Sequence, residues 1–116
     1  MSSSPITTHI LDVSKGVPAR GVAVTLERQN ADGNWEIIGA GATDDDGRVR
    51  DLLKTADNFE AGNYRLTFET GAYFAAQQIE GFYPQASIAF TVRDAAQHYH
   101  VPLLLSPFGY STYRGS

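Results

Sequence analysis

The chain predicts an antiparallel β-sandwich of about seven or eight short strands with one short helix. Three observations carry this expectation. Apolar residues recur at every second position through most of the sequence, and Gly, Pro, Asp and Asn punctuate these stretches at short intervals. One segment, by contrast, breaks the alternation. The 116 residues suffice for one compact core and are too few for two, so residues 1–116 are expected to form a single domain.

Taken in order, "THILDV" sets His9, Leu11 and Val13 on one strand face. "GVAVTLER" then alternates cleanly, with Val22, Val24 and Leu26 on one side and Ala23, Thr25 and Glu27 on the other. The Asp32-Gly33 pair supplies a turn before a second strand around Trp35 to Ile38, which makes a hairpin. "NYRLTFE" groups Tyr64, Leu66 and Phe68, and "ASIAFTV" groups Ile88, Phe90 and Val92. Between them, "TGAYFAAQQIEGF" carries alanines and glutamines from Gly71 to Gly81 without alternation, the composition of a helix of about two turns that caps one edge.

Composition narrows the function classes. Hydrophobic residues make up 42% of the chain and charged residues 19%, a balance that favours a folded core over disorder. The formal net charge is −4 and scattered, so no basic footprint for nucleic acid is present. Without cysteine, neither a disulfide framework nor a thiolate metal site is possible. No run approaches the roughly 18 apolar residues of a membrane span, and the first residues do not read as a signal peptide. A soluble cytoplasmic protein with no membrane partner is expected.

Few residues can carry chemistry. The three histidines all fall in predicted strands. In "HYHVP", period two puts His98 and His100 on one side and Tyr99 and Val101 on the other. Such a pair suits a metal or a general base, but a histidine pair taken at random more often simply hydrogen-bonds within a partly polar sheet face. His9, sharing a face with Leu11 and Val13, on its own reads as a satisfied structural histidine rather than a ligand. "TDDDGRVR" has the carboxylates of a calcium loop, but with Gly47 at the sixth loop position the first falls on Ala42 and the last on Leu53, so the spacing fails. It reads instead as a tight Asp-Gly turn that aims Arg48, either into solvent or into a site. With no nucleophile elbow, phosphate loop or dinucleotide fingerprint, His, Arg, Tyr and Ser remain, groups suited to proton transfer and oxyanion stabilisation. The final "YSTYRGS" is a further puzzle, because terminal residues are usually frayed and dispensable.

Four stretches together, "THILDVSKGVPARGVAVTLER", "TDDDGR", "ETGAYFA" and "HYHVPLLLSPFGYSTYRGS", resemble the transthyretin-like 5-hydroxyisourate hydrolases over essentially the whole chain and in order. The tail "YRGS", combined with the histidines and the "DGR" turn, is the most discriminating part. The resemblance implies a sandwich of two four-stranded sheets with one short helix. It further implies a homotetramer, a dimer of dimers with active sites in the channel between dimers. It places catalytic roles on His9, Arg48, His100 and Ser116. Substrate contact falls to His9, Arg48 and Tyr113, while His98 supports His100 from the same face. The implied reaction is hydrolysis of 5-hydroxyisourate to 2-oxo-4-hydroxy-4-carboxy-5-ureidoimidazoline in urate degradation, with no metal and no cofactor. In it a histidine assists water attack and Arg48 stabilises the oxyanion. Ser116 would act through its hydroxyl or a terminal carboxylate. The alternative from another class is a transthyretin-type carrier of small hydrophobic ligands, which the architecture alone does not exclude. A β-sandwich interaction module has only composition in its favour.

Overall fold

The computed structural model describes residues 4–53 and 59–116. Its strands are β1 (Ile6–Asp12), β2 (Val17–Pro18), β3 (Ala23–Gln29), β4 (Trp35–Ala42), β5 (Arg48–Val49), β6 (Gly62–Phe68), β7 (Ala86–Val92), β8 (Tyr99–Ser106) and β9 (Gly109–Thr112). Helix α1 (Thr70–Ala75) joins β6 to β7. The first sheet runs β2-β1-β8-β9, with β5 also paired to β1, and the second runs β4-β3-β6-β7. Among the described residues no helix is long and apolar enough to cross a membrane.

The alternation read from the sequence becomes the packing. Ile6 and Ile10 of β1, Val24 and Leu26 of β3, Tyr64, Leu66 and Phe68 of β6, and Leu103 and Leu105 of β8 all point into one core. Each such aliphatic or aromatic side chain contributes about 1.5–3 kcal/mol by leaving water. Because successive side chains alternate, burying Ile6, Thr8 and Ile10 forces Thr7, His9 and Leu11 onto the outer face of the first sheet.

Three features depart from the expected outline. The pair β1–β8 is parallel, in register from Ile6 opposite Tyr99 to Asp12 opposite Leu105, whereas all other strand pairs described are antiparallel. Period-two alternation is the same for both directions, so it identifies a strand without fixing its orientation. The first sheet has five strands, because the two-residue β2 pairs with Leu11 and Asp12 and is too short to show a period. Finally, β4 runs on to Ala42, beyond Ile38. Its last half is "GAGA", which carries no apolar signal because the chain from Val49 to Leu52 lies on it. A Cβ at Gly39 would collide with the Leu52 carbonyl oxygen, and one at Gly41 would sit 2.9 Å from Val49 Cγ1.

Helix α1, at six residues, is close to the expected two turns and ends well before Gly81. The chain turns at Gln78, which takes φ 59°, and both Gln77 and Ile79 return their N–H groups to the Phe74 carbonyl. Buried Thr70 and Phe74 anchor the helix from one side. Three residues after Thr70, the Tyr73 hydroxyl donates to Asp12 Oδ2 at 2.7 Å, while Asp12 Oδ1 accepts from Ser14 and the Lys15 N–H.

Asp12 is fully buried. Burial alone would push its carboxyl up, but the hydrogen bonds from Ser14, Tyr73 and Lys15 outweigh burial and hold it below the usual range. The stability tied to this group is therefore present above the ordinary aspartate pKa of about 3.9 and is lost as pH falls through the lowered folded value. Tyr73→Phe is expected to cost about 1.5–3 kcal/mol, the scale of a hydrogen bond to a charged group. Urea unfolding checks this, and a midpoint equal to that of the parent at neutral pH would show that the bond adds nothing.

Candidate active site

The outer face of the first sheet collects the imidazoles. In the β1–β5 ladder His9 lies opposite Arg48, and in the β1–β8 ladder Thr7 lies opposite His100. Residues two apart share a face, so His9, Thr7, His100 and Arg48 form one group drawn from three strands. His98 falls just before β8 rather than within it, yet its ring reaches the same group. Thr7 Oγ1 lies 2.9 Å from His98 Nε2 and 2.8 Å from His100 Nδ1.

Arg48 is aimed by the turn before it. The Asp44 carboxylate accepts the N–H groups of Asp46 at 2.9 Å and of Arg48 at 3.0 Å, and Gly47 N–H bonds the Asp44 carbonyl at 2.9 Å. These bonds, with that from Arg48 the strongest influence, hold the Asp44 carboxyl below its usual range. Gly47 has φ 75°, and a Cβ there would lie 2.5 Å from the Ile10 carbonyl oxygen. Only glycine combines that left-handed backbone with so close an approach to β1. Ile10 N–H closes the contact by bonding the Gly47 carbonyl at 2.8 Å. The "DGR" triplet thus clips the turn against β1 and delivers Arg48 beside His9.

Electrostatics favours neutral imidazoles. Burial, and then the Arg48 guanidinium, push His9 below its usual range, partly opposed by a hydrogen bond to the Asp46 backbone and by the charges of Asp44 and Asp46. His100 is pushed down by burial, then by Arg48, His9 and His98. Half-buried imidazoles beside a fixed positive charge retain a lone pair at neutral pH, the state a general base needs.

The tail is ordered, and it reaches the imidazoles through one residue. Gly115 N–H bonds the His100 carbonyl at 2.8 Å, and the two residues form an antiparallel bridge. A Cβ on Gly115 would meet His100 Cδ2 at 2.7 Å, so the ring leans directly on this glycine. Arg114 fixes the approach: its Nη2 donates to Gln97 Oε1 at 2.8 Å and its guanidinium lies 4.4 Å from the centre of the Tyr99 ring. Tyr113 is 58% exposed, and with Arg114 it lines a cavity of about 270 Å³ bounded by Ile88 and Phe90 of β7 and Tyr99 and Val101 of β8. Ser116 is exposed.

The fold therefore brings His9, Arg48, His98 and His100 together and attaches the tail to them at Gly115. Tyr113 is not brought into that group: it lines a cavity beside Tyr99 and Val101, on the side of β8 opposite His100, and Ser116 is exposed. Sequence reasoning passed over Thr7, Asp44 and Arg114. Thr7 was legible in principle, since it stands two positions before His9 and alternation puts both on one face. Nothing in the sequence alone pairs Arg114 with Gln97.

Comparison with known proteins identifies the family. Residues 6–115 match the model of the HIUase/Transthyretin family. A 5-hydroxyisourate hydrolase of Salmonella typhi is 46% identical over 116 residues, covering 98% of this chain and 82% of that protein. The solved 5-hydroxyisourate hydrolase of Klebsiella pneumoniae superimposes with a TM-score of 0.82 at 42% identity, covering 99% of this chain and 100% of that one. Sea bream transthyretin, solved in complex with thyroxine, superimposes with a TM-score of 0.91 at 39% identity, covering 97% and 95%. Its fold and its sequence over nearly all its length make this chain a member of the HIUase/Transthyretin family.

Proposed function

We propose that this protein hydrolyses 5-hydroxyisourate, opening its six-membered ring to give 2-oxo-4-hydroxy-4-carboxy-5-ureidoimidazoline. The observation that carries the reading is the convergence of His9, Arg48 and His100 on one outer sheet face, with both imidazoles held neutral. The hydrolases of Salmonella typhi and Klebsiella pneumoniae, 46% and 42% identical, support the same substrate.

In the proposed reaction an imidazole of the His9/His100 pair takes a proton from water as the water oxygen bonds to the ring carbonyl carbon. Negative charge then collects on the carbonyl oxygen, where the Arg48 guanidinium offers permanent charge and a planar fork of donors. Collapse breaks the ring C–N bond, the nitrogen leaves with the proton, and the new carboxylate is released. Tyr113 orients the ring and Ser116 contacts the water or a histidine. His98 supports His100 through Thr7. The chemistry calls for no metal or cofactor.

A homotetramer with this face turned toward another pair of subunits belongs to the same reading, as does a single domain over residues 1–116 in a cytoplasmic setting. The sheets end in β9 and β7, two edges with unpaired backbone groups that a second copy could cover.

The carrier alternative draws support from the sea bream transthyretin complex with thyroxine. Against it, a face holding three imidazoles and a guanidinium is poorly suited to an apolar ligand. Freshly generated 5-hydroxyisourate mixed with the protein and followed by ultraviolet absorbance separates the two. Rapid loss of the substrate signal is expected, with light scattering at the assay concentration reading a tetramer. The base must be unprotonated and its pKa is depressed, so turnover should be flat around neutrality and fall only on acidification below the ordinary histidine value of about 6.5. A substrate lifetime equal to that in buffer would leave the carrier.

A further inference from the structure

A single hydroxyl stands between two imidazoles on this face. Thr7 Oγ1 is 2.9 Å from His98 Nε2 and 2.8 Å from His100 Nδ1. A hydroxyl has one proton to give and lone pairs to accept with, whereas a neutral imidazole has one nitrogen of each kind. Thr7 therefore cannot donate to both rings. With both rings neutral, it either donates to one and accepts an N–H from the other, or accepts an N–H from both and turns its own proton to solvent.

Two arrangements give the Thr7 proton to a ring. In the first, His100 Nδ1–H donates to Thr7 and the Thr7 hydroxyl donates to His98 Nε2, which leaves a lone pair on His100 Nε2. In the second, His98 Nε2–H donates to Thr7 and Thr7 donates to His100 Nδ1, so the remaining proton of His100 sits on Nε2. Of these two, only the first leaves His100 Nε2 able to take a proton from water; Thr7 accepting from both rings does so as well, again with the His100 proton on Nδ1. The first also survives the transfer unchanged, because the imidazolium keeps its Nδ1–H bond to Thr7. In the second, the one lone pair of His100 is already occupied by the Thr7 hydroxyl.

We infer that Thr7 is a positioning residue which, anchored by His98, holds His100 in the Nδ1–H tautomer and so presents Nε2 to the substrate side. This rests on the reading of His100 as a group of the reacting site. The geometry around the ring is consistent with one fixed orientation. Thr7 holds Nδ1, and Gly115 backs the opposite edge, where a Cβ would come within 2.7 Å of Cδ2. Thr7 is half-buried on the outer face, and its register opposite His100 is set by the β1–β8 ladder rather than by a loop. The hydroxyl is thus as rigidly placed as the imidazole it addresses. His98, exposed and outside the strand, acts as an acceptor that turns the Thr7 proton away from His100.

The test has an arm that does not depend on turnover. Nitrogen-15 correlation spectra of the histidine rings in the intact protein, at a pH where they are neutral, are expected to show His100 with its proton on Nδ1. An Nε2–H tautomer in the unaltered protein would overturn the inference whatever the enzyme does. Thr7→Val keeps the shape and removes the hydroxyl. It is expected to shift the His100 ring toward the other tautomer and to lower kcat by about tenfold, the lower end of losses for outer partners of a site, with KM little changed. Thr7→Ser keeps the hydroxyl and should restore both the tautomer and most of kcat. Native kcat and an unmoved tautomer in Thr7→Val would sink the assignment. His100→Asn distinguishes this from failure of the wider reading: full turnover there would remove His100 from the reaction, while an inactive His100→Asn beside a fully active Thr7→Val would remove only Thr7.

Discussion

Deletion of Tyr113 to Ser116 is expected to abolish turnover while far-ultraviolet circular dichroism still reports the β-sandwich. The segment supplies none of the buried hydrophobic core, so an ordinary terminus would be lost at little cost. What goes with it is specific. His100 loses the Gly115 N–H on its carbonyl and the backbone against which its ring leans. The Arg114 contacts with Gln97 and the Tyr99 ring disappear as well, a cation–π contribution of about 0.5–1 kcal/mol at an exposed site. Tyr113 and Ser116, the groups proposed to meet the substrate ring and the water, go as well. A milder form, Gly115→Ala, puts a methyl where 2.7 Å separates it from the ring and should reduce kcat with an unchanged melting temperature. Normal kinetics in the truncated protein would show that the tail takes no part.

His9→Asn and His100→Asn are each expected to lower kcat by roughly 10²-fold or more, the usual scale for a general base, with little change in melting temperature. Both rings lie on the outer face, away from the residues that fill the core, which is why stability should be spared. Arg48→Lys is the matching control: it keeps the positive charge that depresses both imidazoles but loses the planar fork, so most activity should go while the acid limb stays in place. Large losses of stability in the asparagine variants would return these histidines to a purely structural role. Near-native turnover of Arg48→Lys would reduce Arg48 to a source of background potential.

Much of the fold was legible because it is written in a local code. Tyr64, Leu66 and Phe68 share a face for the same reason that they are all buried, and the same rule turned His9 outward. The direction of β8 was not legible, since reversing a strand leaves its alternation intact. Nor was β4 beyond Ile38, whose glycines answer to Leu52 and Val49 on a neighbouring segment rather than to their own strand. The candidate site followed the same division. Period two paired His98 with His100, and the Asp-Gly turn marked Arg48, but the bond from Thr7 to both rings spans 91 and 93 positions and leaves no short-range trace. The dependence of His100 on Gly115 has no counterpart in any hydropathy pattern either, because it is a requirement for the absence of a side chain.

The parallel pairing of β1 with β8 also orders events in time. Every step of that ladder joins residues about ninety positions apart, from Ile6 with Tyr99 to Asp12 with Leu105. Closing so long a loop costs entropy before any contact rewards it, so such pairings form late and slowly. On a ribosome adding about 5–20 residues per second, β1 spends several seconds without this partner while β3, β4 and β6 can already meet. Through that interval its N–H and C=O groups on the β8 side are open to another nascent chain. His9 and Arg48 can come together early, but His100 joins them only when β8 docks. The imidazole group is thus a product of the last long-range closure, and a chain stalled before it would be both inactive and exposed to aggregation at the same edge.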